Sequence, residues 1–167
     1  MSLFSIRPAT KDDCKDIVRL MKEMAENERM PNGFKVDEKT LQKDGFGKRP
    51  FYYCFVAELN KEELSAGIVG YVLYFFTYST WEGRSIYVQD LYVSPQYRRR
   101  GMGSALQKRT VQAGIENECS RVNFALLNRN TFSIEFYKKQ GAIDLTETEG
   151  WNVFRLKKDD LFRLAEK

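Results

Sequence analysis

The most constraining feature of this 167-residue sequence is a strand-like segment that runs through an arginine- and glycine-rich turn into a helix start. Residues 85–93 are rich in β-branched and aromatic side chains, which predicts a strand, and Ser94-Pro95 ends it because proline cannot donate to a ladder. A helix is predicted from Gly103 to about Asn117. Backbone N–H groups at a helix start carry partial positive charge, so the turn is expected to bind a phosphate. The turn residues are Arg98, Arg99, Arg100, Gly101, Met102, Gly103 and Ser104.

The turn lacks both common phosphate-loop patterns, G-x-x-x-x-G-K-[ST] and G-x-G-x-x-G. Its Arg98-x-x-Gly101-x-Gly103 spacing, placed after a strand and before a helix, resembles the acetyl-CoA signature of the GNAT N-acetyltransferase family. A plain arginine-rich turn is the alternative interpretation. The resemblance implies acetyl-CoA as co-substrate.

Composition excludes several classes of protein. The chain contains no histidine, which rules out Ser-His-Asp and Cys-His nucleophilic sites and any histidine-bound metal. Cys14, Cys54 and Cys119 show no disulfide or metal spacing, so buried free thiols and no metal are expected. The net charge of +4 suits a small polyanion such as CoA, or weak nucleic-acid contact. Without a transmembrane-length apolar run or a signal-peptide pattern, a cytoplasmic protein with no membrane partner is expected.

The remaining patterns predict one domain over residues 1–167 with the order β-α-α-β-β-β-α-β-α-β-β. The fold class is therefore α/β, a GNAT-like single mixed β-sheet with splayed central strands, flanked by helices. Predicted strands cover residues 4–8, 51–59, 68–77, 85–93, 121–127, 142–145 and 151–156. Helices are predicted from a capping box at Thr10 and Asp13 to about Glu28, from an Asp37 cap to Gly45, and over residues 103–117, 131–140 and 159–166.

Several short segments are similar to the diamine and polyamine branch of this family, which includes spermidine/spermine and thialysine N-acetyltransferases. The resemblance covers nearly the whole chain and implies a small amine substrate and a homodimer. The segments are residues 6–10 (IRPAT), 44–47 (DGFG), 50–52 (PFY) and 149–151 (EGW), with residues 78–84 (YSTWEGR) most similar to the thialysine branch.

The resemblance also assigns roles to residues. Main-chain groups of Leu91, Tyr92 and Val93 are expected to hold the pantetheine arm of the cofactor, as in strand augmentation. On the cofactor side it also implies Asn130, Ser133 and Tyr137. Tyr137, neutral at pH 7, is the expected proton donor to the leaving thiolate, and a buried structural tyrosine is the alternative.

The acceptor amine requires carboxylates, because its ammonium must be bound and deprotonated. Glu28, Asp90 and Glu149 are the candidates, and each has an ordinary surface carboxylate as its alternative role. Glu28, acting through water, is the expected base. The remaining candidate acceptor contacts are Asn27, Trp81 and Gln89.

Two of these positions depart from the family pattern. The polyamine enzymes have Glu where this chain has Gln89, and Tyr-Glu where it has Asn27-Glu28. Because glutamine brings no charge, the sequence predicts a preference for a short amine over spermine.

Three other functions are compatible with parts of this pattern. A non-catalytic CoA- or amine-binding protein would keep the arginine turn but not Tyr137. A nucleic-acid module would need a larger basic surface with exposed aromatic side chains, so no nucleic-acid partner is expected. An acetyltransferase of protein or peptide amines would share the whole cofactor site.

Overall fold

The computed structural model describes residues 3–60 and 67–166. The chain divides into two compact units, Met1–Ala125 and Leu126–Lys167. Within the described ranges, no helix has the length and apolar character that a membrane crossing requires.

The regular elements of the first unit are β1 Phe4–Pro8, α1 Cys14–Asn27, α2 Glu38–Phe46, β2 Tyr53–Leu59, β3 Ile68–Ser79, β4 Gly83–Val93, α3 Met102–Glu116 and β5 Arg121–Phe124. All were predicted in this order; residues 61–66 of the predicted β2–β3 connection lie outside the described residues.

The second unit differs from its prediction. It contains α4 Thr131–Lys138, α5 Leu145–Glu149 and α6 Lys158–Ala165. The predicted strands over residues 142–145 and 151–156 are absent from the structure. Asp144 caps α5 by accepting from the N–H groups of Thr146 and Glu147, which favours a helix start there. A strand over 151–156 would need a ladder partner, and among residues 126–166 there is no other strand.

One predicted helix end was wrong for an instructive reason. Helix α2 continues through Gly45 and ends at Phe46. A Cβ at Gly45 would collide with the ring of Tyr52, so this glycine allows close packing and does not end the helix. The Asp37 cap is confirmed, because its side chain accepts from the N–H of Thr40.

The beginning of α1 is tied to β1 by charged groups. The guanidinium of Arg7 contacts the Asp13 carboxylate at 2.7 and 3.0 Å, and its Nε contacts Glu58 at 2.7 Å. The same carboxylate accepts from the N–H of Thr10 at 2.6 Å, so the predicted capping box is confirmed with aspartate in place of glutamate. Arg7 lowers the pKa of Asp13. This charge network fixes where the helix starts.

The five strands form one mixed sheet in the order β1-β2-β3-β4-β5. The first four strands run antiparallel, and β5 is parallel to β4. The β4–β5 ladder pairs residues 85–88 with residues 121–124, whereas β4 continues to Val93. The splayed central strands predicted from the sequence are therefore confirmed. The β5 ladder stops before residues 89–93, on the edge of β4 that faces away from β3.

A β-bulge at Gln89 determines which side chains of β4 face which side of the sheet. On β3, Leu73 pairs with Asp90 and Tyr74 pairs with Val88, which leaves Gln89 as the extra residue. Alternation along a strand has a period of two, so one extra residue exchanges the two faces for all residues that follow. Asp90 consequently lies on the same side as Tyr92, opposite Val88.

The two faces of the sheet carry separate cores. The side covered by α1 and α2, here called the α1 side, buries Cys14, Ile17, Val18, Leu20, Met21, Leu41, Tyr52, Cys54, Val56, Ile68, Tyr71, Leu73 and Tyr92. The opposite side, here called the α3 side, buries Phe55, Ala57, Leu59, Val69, Val72, Tyr74, Ile86, Val88, Val93, Met102, Leu106 and Ala113.

The cysteines are all free thiols. Cys14 and Cys54 are buried on the α1 side, as the sequence predicts, and Cys119 is half-buried. Burial raises the pKa of Cys14 to about 11 and raises that of Cys54 further.

Candidate acetyl-transfer site

The arginine- and glycine-rich turn has a backbone suited to an anion. Arg99 and Gly101 both adopt positive φ, at 61° and 84°. Gly101 is the N-cap of α3, whose first residue is Met102, one residue earlier than predicted. Left-handed residues next to a helix start turn successive N–H groups toward one concavity, the arrangement that binds phosphates. A non-glycine residue in this conformation is strained, so the turn is held in this shape by its surroundings.

Arg98 connects this turn to the end of β4. Its Nε donates to the carbonyl oxygen of Val93 at 2.9 Å, and its guanidinium lies 5.5 Å from the ring centroid of Tyr92. Arg99 and Arg100 are exposed, and the Arg100 guanidinium lies 5.6 Å from the ring of Tyr97. Three positive charges therefore follow directly after the open edge of β4.

The last residues of β4 have one edge paired and one edge beyond the β5 ladder. Leu91, Tyr92 and Val93 pair with Val72, Tyr71 and Gly70 of β3. On the other edge, the ladder with β5 has already ended at Val88 and Phe124. An extended ligand with amide groups fits such an edge as an added strand. The residue types and the backbone thus suit the pantetheine arm and pyrophosphate of acetyl-CoA.

A half-buried carboxylate, that of Asp90, lies on the α1 side of the same strand. The hydroxyl of Tyr71, which is fully buried, donates to Oδ2 of Asp90 at 3.2 Å and lies 3.8 Å from Sδ of Met24. Burial raises the pKa of Asp90 to about 6; the Tyr71 hydrogen bond lowers this pKa, and the charge of Glu28 raises it. Near neutral pH this group is poised between its two charge states, which marks it as a functional-site candidate.

A second polar network joins α1 to the end of β4. Nδ2 of Asn27 donates to the hydroxyl of Tyr92 at 2.5 Å, and that hydroxyl donates to Glu23 at 3.1 Å. Glu23 also accepts from the buried hydroxyl of Ser94 at 3.0 Å. The amide predicted to contact substrate is therefore engaged in holding Tyr92.

The other residues of the first unit that were predicted to contact the acceptor do not all lie near Asp90. Glu28 caps the end of α1, and its charge acts on both Asp90 and Tyr71, which places it on the same side as these residues. Gln89 is exposed at the bulge. Trp81 is 78% exposed in the turn before β4. From Gly83 to Asp90 the strand rises by roughly 23 Å, so Trp81 is not brought to Asp90.

The predicted residues of the second unit have the following surroundings. Asn130 caps α4, because its Oδ1 accepts from the N–H of Ser133 at 3.2 Å. Tyr137 is the buried residue of α4, and burial raises its pKa to about 12. Glu149 is exposed and accepts from the indole N–H of Trp151 at 2.8 Å. Tyr137 is thus a neutral hydroxyl at physiological pH.

Sequence reasoning missed three residues that the structure ties to the site. From the sequence, Tyr71 belongs to a group of β3 aromatics for which cross-strand packing is favoured over lining a ligand cleft, and Glu23 and Ser94 have no predicted role in the site. No local motif marks them, because their partners lie 19, 69 and 71 residues away in the chain. In residues 3–60 and 67–166, no three or more His, Cys, Asp or Glu side chains are grouped in a way that would hold a metal ion.

Comparisons with known proteins agree with this geometry. The sequence model described as "Acetyltransferase (GNAT) family" matches residues 17–142. The chain belongs to this family and is an acetyl-CoA:amine N-acetyltransferase.

Among its relatives is the thialysine N-epsilon-acetyltransferase of Bos taurus, which is 43% identical over 170 residues and covers 100% of both chains. The spermidine/spermine N(1)-acetyltransferase-like protein 1 of Homo sapiens is 38% identical over 99% of this chain but only 24% of its own length. An integron cassette protein structure from V. cholerae shares the fold with a TM-score of 0.77, at 21% identity, and covers 100% of this chain and 99% of its own.

Proposed function

We propose that the acceptor is a primary amine of a small diamine or thialysine-like amino acid. The observation that carries this proposal is the half-buried carboxylate of Asp90 near the open end of β4, since a carboxylate on the acceptor side suits an ammonium group. The full-length similarity to a thialysine N-epsilon-acetyltransferase supports the same substrate class. The similarity to a spermidine/spermine acetyltransferase-like protein makes polyamines the related alternative.

Acetyl-CoA is proposed to bind to main-chain groups of β4 and to the positively charged turn that follows this strand. Leu91, Tyr92 and Val93 present backbone groups along the open edge, and the N–H of Leu91 polarises the thioester carbonyl. The pyrophosphate is bound by the turn that holds Arg98, Arg99, Arg100, Gly101, Met102, Gly103 and Ser104. Acetyl-CoA supplies the activated acyl group; the protein supplies its orientation.

Two proton movements complete the reaction. A lysine-like ammonium has a pKa near 10.4, so freeing its lone pair at pH 7 costs about 4.6 kcal/mol unless the site shifts that pKa. Glu28, acting through a water molecule, is proposed to take this proton, and Asp90 to bind the ammonium. Tyr137, whose hydroxyl stays protonated because burial raises its pKa, is proposed to protonate the leaving thiolate, and its oxygen then takes the second proton that the acceptor nitrogen loses as the amide forms.

The remaining second-unit residues keep auxiliary roles in this proposal. Asn130 and Ser133 shape the start of α4 that carries Tyr137, as their cap hydrogen bond supports. Glu149 is an outer carboxylate for a longer acceptor. Trp81 contacts the acceptor only where it is supplied by the second copy of a homodimer.

We further propose a homodimer acting in the cytoplasm, with residues 1–167 working as one domain. The family match spans both compact units, which supports one functional domain. Trp151, Val153 and Phe154 are 54%, 86% and 91% exposed, an apolar surface suited to a second copy. Three free thiols suit a reducing compartment.

Mass spectrometry of an amine panel incubated with acetyl-CoA tests the proposed acceptor. The panel contains thialysine, lysine, a short diamine, spermidine, spermine and a lysine peptide. Acetylation of thialysine or the short diamine above the others is expected. Preferential acetylation of the peptide would replace a small-molecule acceptor with a protein one.

The placement of the cofactor is tested by Gly103→Val, which puts a side chain where backbone must approach pyrophosphate. Calorimetry should show a large loss of CoA affinity in a protein that still folds. Unchanged affinity in the folded variant would remove the turn from the cofactor site.

Tyr137→Phe tests the proposed acid. Its kcat is expected to fall by about 10²–10⁴, with CoA binding retained. Tyr53→Phe, which alters an exposed tyrosine on β2, is the control and should keep wild-type turnover. Wild-type kcat in Tyr137→Phe would exclude this tyrosine from the mechanism.

A further inference from the structure

The Asp90 carboxylate is held by a tyrosine that lies outside the predicted set of site residues. Tyr71 reaches it from the adjacent strand β3, and the side chain of Tyr71 is fully buried. The other neighbour of the hydroxyl is the Met24 sulfur at 3.8 Å, which is a weak acceptor. The carboxylate is therefore the main acceptor available to this buried O–H group.

We propose that Tyr71 is a positioning residue for acetyl transfer, whose buried hydroxyl holds the Asp90 carboxylate as the anion that binds the ammonium group of the acceptor. The inference rests on the proposed function and deepens it, because it names the group that sets the charge state of the acceptor site. It also follows from the bulge at Gln89, which turns Asp90 onto the side where Tyr71 lies.

Charged and titratable groups act on Asp90 from each packed element. From α1, Glu28 opposes ionisation of Asp90 through like charge, and burial opposes it more strongly. From β2, Cys54 is affected by the Asp90 charge but stays a neutral thiol, because its own pKa is raised by burial. From β3, Tyr71 favours ionisation through its hydrogen bond. Without a cation, Tyr71 is thus the group among these that stabilises the anion.

An ammonium group completes this arrangement. Placed against Asp90 on the side of Glu28, it would relieve the repulsion between the two carboxylates and replace the solvation that Asp90 loses on burial. Tyr71 remains a donor throughout, because burial first and then the Asp90 charge raise its own pKa well above the usual value. The hydroxyl can therefore hold the carboxylate in place before the amine arrives.

A pH dependence follows from this arrangement. Binding of the amine requires Asp90 as the anion, so kcat/KM for the amine should fall on the acid side with a midpoint near pH 6, the pKa of Asp90. Removing the Tyr71 hydroxyl removes an interaction that lowers this pKa, so the midpoint should move to higher pH.

Tyr71→Phe tests the proposal in the full chain. We expect the acid midpoint to rise by roughly one pH unit. Accordingly, kcat/KM for the amine should fall about fivefold at pH 6 and by less than about 1.2-fold at pH 8 relative to wild type. The KM for acetyl-CoA should not change.

Tyr52→Phe is the matched control. Tyr52 is also buried on the α1 side, but its hydroxyl donates to the carbonyl of Leu41 at 2.6 Å and not to Asp90. This variant should keep the wild-type midpoint. An unshifted midpoint in Tyr71→Phe, or an equal shift in Tyr52→Phe, would overturn the proposal.

Glu28→Gln should move the acid midpoint of kcat/KM in the opposite direction from Tyr71→Phe. Loss of the proposed base should lower kcat, but the midpoint of the remaining activity should move to lower pH, because a charge that raises the pKa of Asp90 is gone. A midpoint moving upward in this variant would contradict the assignment of the acid limb to Asp90.

A measurement on the unmodified protein covers the case in which Tyr71→Phe does not fold. NMR titration of aspartate labelled at the carboxyl carbon should show one group with a midpoint near pH 6. Saturating thialysine should lower that midpoint by about two units, toward the ordinary aspartate value. A midpoint unaffected by the amine would overturn the proposal, whereas an enzyme that acetylates no amine at any pH would refute the proposed function itself.

Discussion

The two faces of the sheet differ in chemistry although each carries a core of buried residues. On the α3 side, residues such as Ile86, Met102 and Leu106 form an apolar core. On the α1 side, the buried Tyr71 holds the half-buried Asp90 carboxylate, and polar groups of α1 reach the end of β4. A buried charge lowers stability unless it is compensated, so a carboxylate whose pKa is raised by burial indicates that this face was shaped by function as well as by packing.

Among the changes that test this contrast between the two faces, Asp90→Asn on the α1 side is expected to have the largest effect. Removing the anion should lower kcat/KM for the amine by roughly 30-fold or more at pH 8, since truncating one partner of a buried charge pair costs at least about 2 kcal/mol. The same variant should be more stable. The folded-state pKa of about 6 lies above the ordinary 3.8, so the ionised carboxylate opposes folding at high pH.

The stability gain of Asp90→Asn should depend on pH in a defined direction. It should be about 2–3 kcal/mol at pH 8 and shrink to about 1 kcal/mol at pH 4.5, where the folded protein already carries the proton. Urea unfolding at the two pH values measures this difference. A variant less stable than wild type at pH 8 would mean that the carboxylate is structural, and the contrast between the faces would fail.

The next largest effect is expected from Leu106→Ala on the α3 side. Leu106 is fully buried, so the free energy of unfolding should fall by about 2–5 kcal/mol. Below the unfolding transition, kcat/KM for the amine should stay within about threefold of wild type. A much larger loss of turnover in folded protein would show that the α3 side also takes part in the reaction.

A smaller effect is expected where α1 meets the end of β4. Glu23→Gln weakens the contacts to Tyr92 and Ser94, and should reduce the free energy of unfolding by about 1–2 kcal/mol. Because those contacts hold the cofactor end of the strand, the KM for acetyl-CoA should rise by roughly threefold. Glu26→Gln, an exposed change on the same helix, is the control. Equal effects of both variants would assign the change to helix charge alone.

The smallest expected effect concerns Gln89, the residue at which β4 exchanges its faces. Gln89→Glu adds an exposed carboxylate, and exposed charge pairs are worth about 0.2–1 kcal/mol. We expect kcat/KM for spermidine or spermine to rise about two- to fivefold more than for thialysine. Gln112→Glu, an exposed change on α3, controls for net charge. If wild type already prefers spermine and Gln89→Glu changes nothing, the number of carboxylates does not set specificity.

Local sequence patterns predicted the first unit well because its elements are specified by local signals. Alternating β-branched residues, the Asp37 cap and the Thr10–Asp13 box act within a few residues of the chain. The turn from Arg98 to Gly101 was recognisable for the same reason.

The errors arose where distant residues decide the outcome. Residues 151–156 have a strand-like composition, but a strand forms only if a neighbour offers its edge. The side of the sheet on which Asp90 lies depends on a bulge defined by pairing with Leu73 and Tyr74, which no spacing within β4 reveals. Tyr71 was therefore assigned to packing, and its contact with Asp90 could not be anticipated.

The state of the thiols in this protein has a practical consequence for measuring turnover. Thiolate is the form that attacks disulfide dyes, and a group with a pKa near 11 is only about 0.1% thiolate at pH 8. Cys54 is buried with a still higher pKa, and burial also raises the pKa of Cys119. A chromogenic disulfide reagent should therefore report the coenzyme A thiol released in each cycle against a low protein background, so the unaltered chain can be followed continuously by absorbance.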